Sequence, residues 1–407
     1  MASVADVGGV GGGIGGASLA SALARAGLGV TVLEATTEYP DRVRGESMHA
    51  WGVKEARELG VEETMLEAGA HVAPLWKQYA EGVGEVAAFP TDAMVPDIPG
   101  TLNLRHPTAC QALADAAARE GAVVVRGVRD ICVKAGEGPE VSYTTKNGSE
   151  ELRASLAVGA DGRASTVRKQ TGIRLEHQEP ISYIAGLLVD GLDGLPDDHD
   201  VIASGGDLFF AMFHQGGGRA RVYLVPGLSG QHRFSGPRGT TQFLAACTRA
   251  GYPWGDQIAA GFPAGPCATY PGDDTWTDAP YVDGVVLIGD AAGHNDPIIG
   301  QGLSIAMRDA RIVRDLVLEG ARSANAFGTY GEERSGRMER LRFIADVLAV
   351  AQAEDADNRA ARRELVGKLM DEMDPQMFPV LVSAFTGPEN LPGELVDQRL
   401  IDLIRAA

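Results

Sequence analysis

Three glycines and one carboxylate near the start of the chain carry its clearest chemistry. Gly11, Gly13 and Gly16, in VGGGIGG, have G-x-G-x-x-G spacing, and Glu34 follows Gly16 by 18 residues. Glycines so spaced let the backbone turn tightly, approach a pyrophosphate and pack helix against strand. The helix start then offers unpaired N–H groups to phosphate, and the carboxylate can accept a ribose hydroxyl. The supporting elements are legible too. Leu19, Leu23 and Ala26 recur at helical spacing, Gly27 fits a C-cap, and Val30–Leu33 reads as a buried strand. A glycine-rich tail would show no such order, so the unit predicts a dinucleotide site. Gly8 and Gly9 stand where branched apolar residues are usual, and the first strand is expected to be short or loosely packed.

Two later segments place polar groups at strand ends. In GADGRASTVRKQTG (159–172), Val158 ends a strand, Asp161 and Gly162 form a turn, and Ser165 can cap the next helix. Alone, that is an ordinary turn. In VVLIGDAAGHNDPIIGQGLSIAMRDA (285–310), Gly289 and Asp290 leave a buried strand, and Asp290 suits either a sugar hydroxyl or a helix N-cap. Pro297 stiffens the loop, and Gly300-Gln301-Gly302 opens a helix whose N-terminus suits an electron-rich ring edge.

At 407 residues and 44% hydrophobic content, the chain can fill two or three domains. Its net charge of −19 disfavours nucleic acid and anionic membrane surfaces. No apolar run is long enough to span a membrane, and no signal peptide is expected. Cys110, Cys132, Cys247 and Cys267 lack metal or redox spacing and are expected to be reduced core thiols of a cytoplasmic protein. The eight histidines form no ligand pair, so no metal is expected. Helices are expected over 52–69, 103–121, 302–318 and about 337–353, with a helical set to about 406. Short strands are expected over 123–125, 141–143, 156–158 and 285–288. Between about 183 and 271 the pattern changes to alternating, aromatic-bearing strands, including 208–213 and 220–225. The nucleotide-site residues thus flank a β-rich insertion.

In this order, the three motifs resemble the single-component FAD-dependent aromatic hydroxylases, the para-hydroxybenzoate hydroxylase-like monooxygenases, over roughly residues 4–320. Arg42 and Arg44, in DRVRGES, fall where that family places basic residues near the flavin. The resemblance implies an α/β fold: a Rossmann-type FAD-binding domain (1–75, 101–180 and 272–330) interrupted by a β-sheet substrate domain (76–100 and 181–271), with a helical C-terminal region (331–407). It implies that Glu34 holds the adenosine ribose, that Gly11, Gly13 and Gly16 line the pyrophosphate, that Asp290 meets the ribityl chain, and that Gly289 is among the cofactor-binding residues. Pro297 would lie beside the isoalloxazine, with the Gly300, Gln301, Gly302 and Leu303 backbone at its N1/C2 edge. Asp161, Gly162 and Arg168 would belong to the loop used for FAD and NAD(P)H. Arg105, in NLRHP, is either a cofactor contact or a solvated arginine.

The family's chemistry implies reduction of FAD by NADPH or NADH, addition of O2 at flavin C4a, and oxygen delivery to a small aromatic, polycyclic or polyketide-like substrate. The cofactor does the difficult chemistry, so no dedicated nucleophile is expected. His294, His214, Tyr223 and His49 are the candidates for moving a substrate proton, each against a packing or loop role. Phe209, Phe210, Phe213, Trp51 and Trp76 are pocket walls or core residues. FAD-dependent halogenases and prenyl-chain reductases share the scaffold. Gly45-Glu46-Ser47 keeps the halogenase open, although no W-x-W-x-I-P is present. A flavin-binding protein without turnover is the remaining alternative.

Overall fold

The computed structural model describes residues 3–248 and 252–407. Strand Ser3–Val10 lies inside an eight-stranded sheet, parallel to Gly148–Gly159 on one side and Val30–Glu34 on the other. Val123–Arg126 and Val285–Leu287 extend that parallel run outward. Parallel neighbours need crossovers. Helix Ile14–Arg25 supplies the first, and it packs with His106–Arg119 and Gly302–Leu318 through Leu19, Leu23, Leu113 and Met307.

The opening strand is not short. It runs for eight residues, and Gly8 and Gly9 are paired to both neighbours. A Cβ on Gly8 would stand 3.0 Å from Leu152 Cδ2, so the neighbouring strand fills the space the glycine leaves. The 52–69 helix is also two helices, Ala50–Leu59 and Glu62–Glu67, because Gly60 takes a left-handed φ of 72° and caps the first.

A second eight-stranded sheet combines Leu75–Ala80 and Gly84–Pro90 with the strands between Tyr183 and Pro271. Its centre is antiparallel: Tyr183–Asp190, Ala220–Pro226, Leu208–His214 and His199–Gly205 lie side by side. One face, with Phe210, Met212 and Leu224, packs against Phe243 and Cys247 of helix Gly239–Cys247. The opposite face, with Phe209, Phe213, Tyr223 and Val225, meets helix Gly328–Gln352 and the helices after it. The C-terminal helices Arg359–Asp371 and Met377–Thr386 therefore roof the second sheet. Cys110 and Cys247 are buried as expected, whereas Cys132 is exposed on a strand of the hairpin 129–145. Among the described residues no helix is long and apolar enough to cross a membrane.

Candidate active site

One cavity of about 1140 Å³ runs from the end of the first sheet to the inner face of the second. At its first end, Gly11 has a φ of 103° and lies against Ala160, where any Cβ would strike the Ala160 carbonyl oxygen at 2.3 Å. Gly16 is equally crowded, by the carbonyl oxygen of Gly11 at 2.1 Å, so it seats the helix on the strand. Gly13 differs: a Cβ there meets nothing within 4 Å, and the residue borders the cavity at a helix start with no side-chain cap. The open position is where a diphosphate needs backbone N–H groups. Glu34 ends its strand beside the cavity, with its carboxylate accepting from Gly12 N (2.7 Å) and from Thr36 N and Oγ1 (2.8 and 2.7 Å). Tyr39, which the sequence reading missed, donates to the Gly12 carbonyl at 2.6 Å and carries Arg126 over its ring.

The loop after Val285–Leu287 closes the cavity's middle. Asp290 borders it and pairs with Arg163 at 3.3 Å, and Arg42 and Arg44 line the same stretch. Burial lowers the Arg44 guanidinium pKa, nearby Arg163 and Arg42 lower it further, and Asp290 opposes this. Burial, with Arg42 and Arg44 adding to it, pushes His106 down to about 4, so this ring is neutral at pH 7. Three arginines converging here favour an anion.

The same loop is held from behind by a buried ionic cluster. Arg334, on Gly328–Gln352, donates to Asp309 (3.0 Å) and to the carbonyls of Ala292 (3.0 Å), Gly289 (3.2 Å) and Gly293 (2.9 Å). Asp309 also accepts from Gly289 N at 2.8 Å and from Arg337 at 2.6 Å. The two guanidinium groups hold the Asp309 carboxyl below its ordinary value despite complete burial. Asp309 was visible in the sequence within MRDA, but Arg334 lies 25 residues further on and no local pattern links them.

At the far end the sheet presents every second residue. Phe209, Ala211, Phe213, Tyr223 and Val225 line the cavity, with Trp76. Tyr223 donates to Glu46 at 2.6 Å, and Glu46 pairs with Arg221 at 2.8 Å, which also holds Asp41 at 2.9 Å. Burial raises the Tyr223 phenol well above its usual value, and the charge of Glu46 adds to this. Burial raises Glu46 too, against the pull of Arg221. His294 borders the cavity, held by Thr275 Oγ1 at 2.9 Å and Asp273 at 3.2 Å. His49 packs flat on Trp76, with centroids 5.2 Å apart, and its Nε2 lies 3.0 Å from the Ile299 carbonyl oxygen.

Gly11, Gly13, Glu34, Arg42, Arg44, Asp161, Gly162, Gly289, Asp290, His294, Pro297, Gly300, Gln301, Gly302, Leu303 and Tyr223 all line this one cavity. Others do not reach it. His214 lies on the opposite face of the second sheet, among His199 and Trp254, because it is one residue out of phase with Phe209, Ala211 and Phe213. Phe210 shares that face, stacked on Tyr252. Trp51 is buried behind the loop, donating to Gln301 Oε1 at 2.8 Å. Arg168 spends its guanidinium on the carbonyls of Ala291 and Arg163, both at 2.9 Å, and so ties two loops together. Arg105 also lies outside the lining, with a buried Nε that has no partner among the described residues. Asp161 borders the cavity, yet its carboxylate caps the next helix, accepting from Thr166 N at 2.6 Å and Ser165 Oγ at 2.5 Å.

Residues 4–342 match the family model described as FAD binding domain. The chain belongs to that family. FAD is the cofactor that this family binds. The open face at Gly13, the strand-end carboxylate of Glu34 and the arginine-rich middle of the cavity fit an adenine dinucleotide with its diphosphate. Squalene monooxygenase SE1 of Panax ginseng is 26% identical over 323 residues, which is 78% of this chain and 59% of that relative. The chain therefore spans about three-fifths of the relative's length. Pseudomonas aeruginosa PqsL, solved with 2-aminobenzoylacetate, aligns with a TM-score of 0.73 and 23% identity, over 88% of this chain and 99% of that one. Aklavinone-11 hydroxylase, solved with FAD and aklavinone, aligns with a TM-score of 0.70 and 20% identity, over 88% of this FAD-family chain and 70% of the other. Both structures share the fold.

Proposed function

We propose that the protein is an FAD-dependent monooxygenase that uses NADPH or NADH and dioxygen to hydroxylate a small aromatic or polycyclic molecule. The observation that carries this reading is the continuity of the cavity, from the Glu34–Gly13 cradle to the aromatic face around Phe209, Phe213 and Tyr223. When bound, FAD supplies electron transfer and oxygen activation. Gly11 and Gly13 receive its diphosphate, Glu34 and Asp290 its sugar hydroxyls, and the Gly300–Leu303 turn offers N–H groups beside its ring. Arg42, Arg44 and Arg163 stabilise phosphate charge, whether of FAD or of the nicotinamide donor. Tyr223 keeps its proton, engaged with Glu46, and offers its oxygen as an acceptor to a substrate hydroxyl. Trp76, Phe209 and Phe213 exclude water from the reacting end.

The squalene monooxygenase relative favours a second reading, epoxidation of a polyene, and the aliphatic lining of Ile184, Ile202 and Leu381 is compatible with it. The two readings separate by product analysis. The FAD-loaded protein is supplied with NADPH or NADH, isotopically labelled dioxygen, and either phenols and hydroxyquinones or squalene. Label in a ring hydroxyl supports the first reading, label in an epoxide supports the second, and nucleotide oxidation with label only in hydrogen peroxide contradicts both.

A further inference from the structure

The inner face of the second sheet is ruled into rows by its register. Gln78 pairs with Ile202, Ile202 with Ala211, and Ala211 with Tyr223. All four line the cavity. Three strand spacings put Gln78 about 14 Å from Tyr223 along the row. The next row sets Ser204 opposite Ala80 and Phe209, on the same face. The cavity is thus apolar in its middle and polar at both ends.

The end away from Tyr223 holds hydrogen-bond donors without acceptors. Gln352, at the end of helix Gly328–Gln352, is only 5% exposed and borders the cavity. Its Oε1 accepts from Ser204 Oγ at 2.6 Å, and its Nε2 has no acceptor among the described residues. Gln78 also borders the cavity and has no side-chain partner among the described residues. Arg363 completes the group. Its two terminal nitrogens donate to the carbonyls of Gly206 (2.9 Å), Leu208 (3.2 Å) and Gln352 (2.7 Å), while its buried Nε is unpartnered. Among the described residues no carboxylate pairs with Arg363 within ion-pair distance. The acids nearby act on Arg363 from a distance: Glu81 accepts from Gly206 N at 2.6 Å, Asp207 accepts from Arg233 at 2.6 Å, and Glu364 and Asp371 are exposed on the rim.

We propose that Gln352 and Gln78, with the charge of Arg363 behind them, form a distal recognition subsite for a carbonyl or carboxylate oxygen at the end of the substrate remote from the reacting ring. This rests on reading the cavity as the substrate site. These amide donors face the cavity, and a site built to hydrogen-bond a group rejects the analogue that lacks it. An all-hydrocarbon polyene would leave these donors empty. A polycyclic molecule with an oxygen acceptor across its long axis satisfies them while its phenolic end meets Tyr223.

The test is equilibrium dialysis of the FAD-loaded protein against two probes, a hydroxyanthraquinone and the same ring system carrying a carboxylate at the far ring. The native protein should bind the carboxylate probe about tenfold more tightly. Gln352→Leu and Gln78→Leu should each shrink that ratio, with the parent probe's affinity unchanged. If Gln352→Leu does not fold, Gln78→Leu carries the test, because its side chain supports no other group. Equal affinities, no binding of either probe, or a ratio untouched in the folded variants would overturn the proposal. FAD content, nucleotide oxidation and labelled-oxygen uptake in the same preparations report on the monooxygenase reading separately.

Discussion

The two ends of the cavity are built by different means. The end proposed for the cofactor is made largely of backbone: glycines that allow close approach, a helix start without a cap, and loops held by carbonyl bonds from Arg168 and Arg334. The end proposed for the substrate is made of side chains from separate strands and helices, aligned by sheet register and roofed by the C-terminal helices. Backbone sites demand particular residues at fixed spacing and so leave motifs. Side-chain sites demand only shape and a few polar groups, so they change without leaving a pattern.

That contrast can be broken at its strongest point. Arg334→Leu removes the donor to Asp309 and to three loop carbonyls, all buried. Leaving a buried acid underpaired should cost about 3–5 kcal/mol, read by urea unfolding, and FAD should be lost with the loop. If stability changes little and FAD stays bound, the loop is not held from behind as described. Asp290→Ala is the sharper counterpart. Asp290 is partly exposed and pairs with Arg163, so its loss should leave the fold nearly unchanged while FAD affinity falls about tenfold or more. Full flavin occupancy in that variant would place the ribityl contact elsewhere.

At the substrate end, Tyr223→Phe should leave FAD binding intact and lower substrate-dependent turnover about tenfold or more, with Glu46 still paired to Arg221. The smallest effect is expected at His214. Burial holds its imidazole at about 4 against an ordinary 6.5, and the charges of His199 and His71 add to this. Between those values the unfolded chain binds a proton that the folded chain refuses. The contribution to stability is therefore present above about 6.5 and is lost as pH falls toward 4. His214→Gln should make that part of the stability–pH curve less steep, with His49 and His106 still contributing there, measured by thermal melts, and leave turnover unchanged. A drop in turnover would contradict its position on the outer face.

Gly11, Gly13, Glu34 and Asp290 were legible from sequence as neighbours on one cavity because each stands at a strand end or glycine turn, which local pattern shows. The sequence reading misjudged the opening strand, since the space beside Gly8 is filled by Leu152, a residue 144 positions away. His214 was misjudged for a related reason. Which face a strand residue takes depends on pairing register, and although 208–213 was read as alternating, LFFAMFH is buried on both faces, so the sequence does not say which face meets the cavity. Arg334 and Gln352 were invisible because a helix position reaches a loop or cavity only through the tertiary path of the chain. Tyr223 was legible as a candidate, but its fixing by Glu46 was not.

On this reading one cavity holds FAD at its glycine end and an aromatic substrate at its sheet end. The most direct measurement is the visible spectrum of the purified protein with added FAD, followed in air after NADPH or NADH is supplied, with and without a phenolic probe. The account predicts a bound oxidised-flavin spectrum that bleaches and recovers as nucleotide is consumed, faster when the probe is present. A protein that stays colourless after FAD is added and the excess removed would contradict it.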